Sequence, residues 1–234
     1  MKREELERID REYREKPPEE LLAWAASAFK GRAVFASSLG LEDQVLTRML
    51  ADIDPAFPMF TLDTGRLFQE TYDVLSTTRE QLGVRLEILF PKREEVEAMV
   101  NEHGPNLFYE SVEKRKLCCG VRKVAPLTRR LKGLSAWITG LRREQSVTRT
   151  DLKHVEWDEV NGLVKINPLA DWHIDEVWAY IKKKSVPYNR LHAKGFPSIG
   201  CAPCTRAVKE GQDIRAGRWW WENPEYRECG LHER

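Results

Sequence analysis

No uninterrupted apolar run approaches the ~20 residues that a bilayer-spanning helix needs, so no membrane helix is expected. The N-terminus, Met1 to Arg14, has neither the apolar core of a secretory signal nor the scarcity of acids typical of a transit peptide. Excess charge is also missing: 38 basic side chains face 37 acidic ones in 234 residues, a formal net charge of +1. Such a balance gives no support to a general polyanion binder, and no nucleic-acid partner is expected. Internal repeats and low-complexity linkers are absent, and the length suits one α/β domain with a sizeable core or two small ones. Cysteine is scarce, with five in all. Without an export signal a reducing cytoplasm is the expected compartment, where cysteine pairs more often bind metal or do redox work than form structural disulfides.

What is present is locally organised. Basic residues concentrate at 114–132, 142–149 and 206–218, a pattern suited to a small anionic ligand. Residues 3–14 read as an exposed charged helix or arm. Pro17-Pro18 opens a helix carrying Leu21, Leu22, Trp24, Ala25, Ala28 and Phe29 at helical spacing, closed by Gly31. Short apolar runs at 33–37, 58–62, 85–90, 135–139 and 163–166 read as strands. They alternate with helices at 41–51, 67–82, 94–102 and 174–181, which predicts an α/β fold with a mostly parallel sheet flanked by helices. Beyond Ser185 periodicity fades into a tail rich in Gly, Pro, Arg and Trp.

Three strand ends carry anion-ready groups. The turn Ser37-Ser38-Leu39-Gly40 leads from a strand into a helix, and backbone amides at a helix start can cradle an oxyanion. It lacks the Gly-Lys-Ser/Thr of a P-loop and the Gly-x-Gly-x-x-Gly of a dinucleotide fold; taken alone it reads as an ordinary connection with a serine cap. Asp63-Thr64-Gly65-Arg66 ends the second strand, at the edge where open α/β sheets bind ligands. There Asp63 can accept from a ribose or base and Arg66 can pair with an anion, or the segment is a capped turn. Arg142-Arg143 follows Thr139-Gly140 at another strand end, where the guanidinium forks match phosphate or sulfate.

The cysteines fall as Cys118-Cys119, Cys201-x-x-Cys204 and a lone Cys229 in Glu228-Cys229-Gly230-Leu231-His232. The spaced pair alone fits zinc, an iron–sulfur cluster or a redox dithiol. The vicinal pair is unusual for structural zinc, whose ligand pairs are normally two to four residues apart. Together the pairs can supply four thiolates to a [4Fe-4S] cluster. Cys229, beside Arg227 and His232, is either an incidental tail cysteine or a nucleophile whose thiolate is favoured by nearby cations.

In combination these motifs resemble the assimilatory adenylyl-sulfate reductases, over nearly the whole stretch from Ser37 to His232. Ser37-Ser38-x-Gly40-x-Glu42-Asp43 is similar to that family's phosphate-binding loop, and Leu62-Asp63-Thr64-Gly65-Arg66 to its second nucleotide segment. The resemblance implies an adenine nucleotide alpha hydrolase-like (Rossmann-like) fold and thioredoxin-dependent reduction of adenosine 5'-phosphosulfate to sulfite and AMP. It implies Cys118, Cys119, Cys201 and Cys204 as ligands of a [4Fe-4S] cluster, Cys229 as nucleophile with His232 beside it, and Lys123 as the residue coupling cluster to substrate. Ser37, Ser38, Gly40, Asp63, Gly65, Arg66, Arg142, Arg143, Arg215 and Arg218 fall at its substrate-binding positions. The expected organisation is a helical segment at 1–30, a nucleotide and cluster domain at 31–218, and a mobile catalytic tail at 219–234, together a single structural domain. Thioredoxin or a glutaredoxin-like donor is the implied partner, and a homo-oligomer is compatible with the family.

The nearest rival takes 3'-phosphoadenylyl sulfate instead, alone or as well; reductases restricted to it generally lack the four cluster cysteines. A tRNA-thiolating enzyme would want Ser-Gly-Gly-x-Asp-Ser, which is absent. A zinc-bearing nucleic-acid module would want a broad basic face, which the charge balance disfavours.

Overall fold

The computed structural model describes residues 2–145, 151–209 and 211–223. Two compact units divide the chain. The first comprises Met1–Thr61, Glu70–Glu87 and Gly133–Asn189, and the second Leu62–Gln69, Ile88–Lys132 and Arg190–Arg234.

The strands are β1 (Ala33–Ser37), β2 (Met59–Leu62), β3 (Leu86–Leu89), β4 (Ala136–Ile138), β5 (Val155–Asp158) and β6 (Leu163–Ile166). They form one six-stranded sheet in the order β3-β2-β1-β4-β6-β5. The sheet is mostly parallel: β1 pairs in parallel with β2 (Phe35 opposite Met59) and with β4 (Phe35 opposite Ile138), and β4 with β6. Only β5, at the edge, is seen to run antiparallel to its neighbour β6. A central parallel strand is buried on both faces and reads as a continuous apolar run; Val34, Phe35, Phe60, Trp137 and Ile138 are almost wholly buried. Strand order reverses between β1 and β4, the switch point where such sheets bind ligands beyond their carboxyl ends. Ser37 and Thr139 end or follow these two strands.

In the first unit lie α1 (Arg3–Tyr13), α2 (Pro18–Phe29), α3 (Leu41–Ile53) and α8 (Ile174–Lys184). Helix α4 (Gln69–Leu82) also falls there, apart from its first residue. Helix α1 differs from the exposed arm expected for so charged a segment. Leu6, Ile9 and Asp10 share one face and are buried, as residues three and four apart on a helix do. The Asp10 carboxylate accepts from the amides of His154 (2.8 Å) and Val155 (3.2 Å) at the start of β5, and its other oxygen pairs with Arg14 at 3.0 Å. A carboxylate can be buried when it is paired in this way.

The second unit contains α5 (Arg93–His103), α6 (Val112–Cys119) and α7 (Ala125–Leu131). Gly120–Val124 forms a π-helical turn joining α6 to α7, closed by Ala125 N–H donating to Gly120 O. Pro126 lies just beyond and has no N–H to offer the carbonyl four residues earlier, which is a local cause for the widened turn. The core of this unit is made by Met99, Leu107, Phe108, Trp219 and the four described cysteines. Among the described residues after Ser185 there are short helical turns at Arg190–Lys194 and Ala202–Cys204, and an isolated bridge between Thr205 and Arg218. Among the described residues no helix is long and apolar enough to cross a membrane.

Candidate active site

In the first unit, two loops leave the sheet at its switch point. The Ser37–Gly40 turn holds Leu39 at φ +62°, a left-handed conformation rare for a branched side chain. Such strain tends to persist where surrounding contacts enforce it, and here Leu39 is buried. The turn's amides are internally engaged: Leu39 N–H donates to Ser37 Oγ (3.2 Å) and Gly40 N–H to Ser38 Oγ (3.4 Å). Ser38 gives both its N–H (2.5 Å) and its hydroxyl (2.6 Å) to one oxygen of Asp43. Gly40 is the N-cap of α3, so the first amides of a 13-residue helix open here.

Asp43 ties this turn to the second loop, because its carboxylate also accepts from Gly140 N–H. A side chain at residue 140 would run into that carboxylate, which explains the glycine. Burial pushes Asp43 up to about 6, against the lowering effect of the Ser38 bonds. The neighbouring Glu42 accepts from Arg142 Nε at 2.8 Å. Arg142 is buried and also donates to Glu144 (2.6 Å) and to the Trp172 carbonyl (3.1 Å). Arg143 is more open, its side chain 31% exposed. It donates through Nε to Leu152 O (2.7 Å) and pairs with Asp171, which in turn lies 2.9 Å from His154 Nε2. Burial lowers the His154 pKa. Of the two expected anion binders, Arg142 is thus a strut between carboxylates and Arg143 the one with solvent access.

In the second unit, Cys118, Cys119, Cys201 and Cys204, all 7–8% exposed, line one pocket with Arg66, Phe108, Arg115, Arg122, Lys123, Pro203 and Trp219. Residues 115, 118, 119, 122 and 123 repeat at i, i+3, i+4, i+7 and i+8, the spacing of one helical face. Helix α6 and its π-turn therefore bring two thiols and three cations to the same wall. The opposite thiols sit on a turn in which Cys204 N–H donates to Cys201 O at 2.9 Å. Arg66 O accepts from Ala202 N–H (2.8 Å) and Tyr109 hydroxyl donates to Pro203 O (2.8 Å), holding that turn in place.

The Asp63–Arg66 segment belongs to this pocket as much as to any nucleotide. Asp63 Oδ1 accepts from Gly65 N–H at 2.7 Å, and Gly65, at φ +72°, makes a turn that other residues would resist. Thr64 Oγ1 lies 3.2 Å from Cys201 Sγ, and Thr64 O accepts from Arg122 at 2.7 Å. Arg66 packs over Phe108, 4.8 Å from the ring centre. Arg218 is buried, donates to Ser198 Oγ (3.2 Å) and stacks over Trp219 at 4.7 Å. Arg215 lies 6.0 Å from the same ring and is partly exposed.

The thiols are electrostatically unequal. Burial alone would raise Cys201, but Lys123, the Thr64 hydrogen bond, Arg218 and Arg122 outweigh it and hold it below its usual value. Burial and the neighbouring Cys201 push Cys204 up to about 12. Burial also raises Cys118, partly offset by Arg122. Among the described residues no three His, Cys, Asp or Glu side chains form a group placed to hold a metal ion. Cys229 and His232 lie outside the described residues.

Sequence reasoning missed Phe108, Arg115, Arg122 and Trp219 as parts of the pocket, Thr64, which lies against Cys201, and Glu222, which pairs with Arg115. The helical spacing around Cys118-Cys119 could have found Arg115 and Arg122. No local signal points to Glu222, which is 107 residues from its partner.

Residues 32–207 match a family model described as the phosphoadenosine phosphosulfate reductase domain. Adenosine 5'-phosphosulfate reductase of Allochromatium vinosum is 56% identical over 201 residues, covering 86% of this chain and 78% of that protein. The protein of the same name from Burkholderia cepacia is 54% identical over 198 residues, covering 85% and 79%. Among solved structures, phosphoadenylyl-sulfate reductase from Candida auris, in a phosphate complex, superposes with a TM-score of 0.76 at 29% identity, covering 89% of this chain and 98% of that one. FMN adenylyltransferase from Candida glabrata, at 16% identity and a TM-score of 0.56 over 91% of this chain and 76% of that one, shares the fold alone. With the family model spanning most of its length and such relatives beside it, the chain belongs to the phosphoadenosine phosphosulfate reductase family.

Proposed function

We propose that this chain reduces adenosine 5'-phosphosulfate to sulfite and AMP in a reducing cytoplasm, with electrons from a dithiol donor of the thioredoxin or glutaredoxin type. The observation that carries the reading is the gathering of two cysteine pairs, 80 or more residues apart in sequence, at one cation-lined pocket. Relatives named for this activity, 50–56% identical, support it.

The pocket fits a [4Fe-4S] cluster held by Cys118, Cys119, Cys201 and Cys204. Four buried thiols are poor packing for a site walled by Arg66, Arg115, Arg122 and Lys123, whereas four thiolates would offset much of that positive charge, and among the described residues no carboxylate lines the pocket. Bound there, such a cluster supplies a structural and electrostatic centre, and the electron balance below requires no change in its oxidation state.

The chain's own residues carry the rest. The Cys229 thiolate, favoured by Arg227 and His232 nearby in sequence, attacks the sulfur of the phosphosulfate. A new S–S bond forms as the S–O bond to phosphate breaks, and AMP leaves with the electron pair. Arg143 and the first amides of α3, which the Ser37–Gly40 turn opens, are assigned to charge on the phosphosulfate, and Lys123 to the sulfate oxygens. Asp63, Gly65, Arg66, Arg215 and Arg218 are assigned to the remaining substrate contacts, and residues 219–234 to a catalytic tail. A donor thiolate then attacks Cys229 Sγ and displaces sulfite with its electron pair. The donor's second thiol closes its own disulfide and returns Cys229 as thiolate, so the two electrons come from the donor.

Mixing the enzyme with adenosine 5'-phosphosulfate and no thiol should release about one AMP per site and add a sulfonate to the peptide containing Cys229. Cys229→Ser should retain nucleotide binding and form no sulfite. A sulfonate on another cysteine, or normal turnover by Cys229→Ser, contradicts the mechanism. Running 3'-phosphoadenylyl sulfate in parallel decides whether the phosphorylated nucleotide is also a substrate.

A further inference from the structure

Arg115 and Glu222 form a buried pair in the second unit that no step above uses. Arg115 has no exposed surface, and the Glu222 side chain is 3% exposed. The contact is a two-pronged fork, Nε to Oε1 at 3.0 Å and Nη2 to Oε2 at 2.9 Å. Such geometry satisfies both charges and fixes the direction of approach. The same guanidinium stacks over Trp219, 4.7 Å from its ring centre, and hydrogen bonds the Cys119 side chain. Residues 219–222 are otherwise a short turn, with Glu222 N–H donating to Trp219 O (2.8 Å) and Trp219 N–H donating to Cys204 O (3.2 Å). One side chain of α6 thus touches a thiol of the pocket, the ring of Trp219 and the carboxylate that ends the turn. Cys229 follows seven residues after Glu222 in sequence, a span of at most about 25 Å at ~3.3–3.6 Å per residue.

We propose that Arg115 and Glu222 are positioning residues that couple the four-cysteine pocket to the start of the segment bearing the nucleophile. This rests on the proposed cluster and on Cys229 as nucleophile. When the pocket's thiolates are in place, Cys119 helps orient the Arg115 fork, and the fork fixes residues 219–222. Disturbing either end frees the turn from its anchor. The pair needs no contact with substrate to act, and a simple packing role predicts no dependence on what the cysteines hold.

The test is hydrogen exchange of the peptide spanning residues 217–223 in the purified holoenzyme, before and after anaerobic removal of iron with a chelator. In wild type, exchange in that peptide should accelerate at least tenfold on chelation. In Glu222→Gln it should be fast in both states, with the first-turnover sulfonation of Cys229 slowed by a similar factor and the iron content retained. Arg115→Lys, which keeps the charge but loses the fork, should behave like Glu222→Gln. Should either single variant fold poorly, the double variant Arg115→Met/Glu222→Leu replaces the pair with apolar groups, which is often neutral for stability. It should fold, yet exchange in the peptide should no longer respond to chelation. Equal exchange in wild type with and without iron, or a double variant that sulfonates Cys229 at the wild-type rate, overturns the coupling. If the protein as purified holds no iron, the cluster reading fails, while the exchange difference between wild type and Glu222→Gln still reports on the anchor.

Discussion

The two units manage charge in different ways. In the first, each strand-end loop is closed by its own carboxylates: Asp43 holds Ser38 and Gly140, Glu42 and Glu144 hold Arg142, and Asp171 holds Arg143. In the second, thiols and cations share a wall, and the fork of Arg115 to Glu222 stands behind it. The first arrangement is complete as it stands and makes a rigid frame. In the second, four thiols face four cations; burial pushes Cys118 and Cys204 up, while Cys201, despite its burial, is held below its usual value by Lys123, the Thr64 hydrogen bond, Arg218 and Arg122. A metal or cluster binds thiolates, so loading this pocket would release the protons that burial favours on Cys118 and Cys204.

The contrast can be broken in order of expected effect. Cys201→Ala should abolish cluster absorbance, iron content and turnover together, since Cys201 sits in the four-thiol pocket and its surroundings hold it below its usual value; intact iron in that variant removes it from the ligand set. Arg142→Ala should act mainly on stability, because it strands the mostly buried Glu42 carboxylate; the more exposed Glu144 can turn to water. Breaking a buried pair costs about 3–5 kcal/mol, read as a fall in the urea midpoint. Arg143→Ala should cost less stability than Arg142→Ala, because its partner Asp171 is 41% exposed, and should weaken nucleotide binding by about 1.5–3 kcal/mol, the worth of a charge-assisted bond, read as a raised KM. If Arg142→Ala raised KM with normal stability while Arg143→Ala did the reverse, the roles of strut and binder would be exchanged.

The smallest effect concerns pH. Burial raises folded Asp43 to about 6 from its ordinary 3.8. The folded state therefore binds more protons than the unfolded one between those values. The contribution of Asp43 to stability is fully present below 3.8 and is lost as pH rises through about 6. The substitution Asp43→Asn mimics the protonated form at every pH. Urea midpoints should show the advantage of wild type over Asp43→Asn shrinking between pH 4 and pH 7, and an advantage that grows with pH would contradict this account.

Much of the sheet was legible because β1, β2, β4 and β6 are short runs made mostly of apolar residues and need no tertiary partner to be recognised. The helix at 112–131 was not read, because its exposed charges mask a stripe that faces a pocket rather than an apolar core. Strand β5 escaped for a related reason: its four residues, Val-Glu-Trp-Asp, are an edge whose order owes much to Asp10 on α1. The strand-end residues of the site were legible as types suited to anions. Their partners were not, so Arg142 and Arg143 read alike in sequence although their surroundings give them different exposures. The Arg115–Glu222 fork lies beyond any local pattern, since two charges 107 residues apart carry no mark of their pairing.

The central claim is that Cys118, Cys119, Cys201 and Cys204 jointly hold one iron–sulfur cluster, and its most direct test is a metal and sulfide count on anaerobically purified protein. The account predicts a brown protein with about four irons and four acid-labile sulfides per chain. A colourless protein with stoichiometric zinc and no labile sulfide would contradict it.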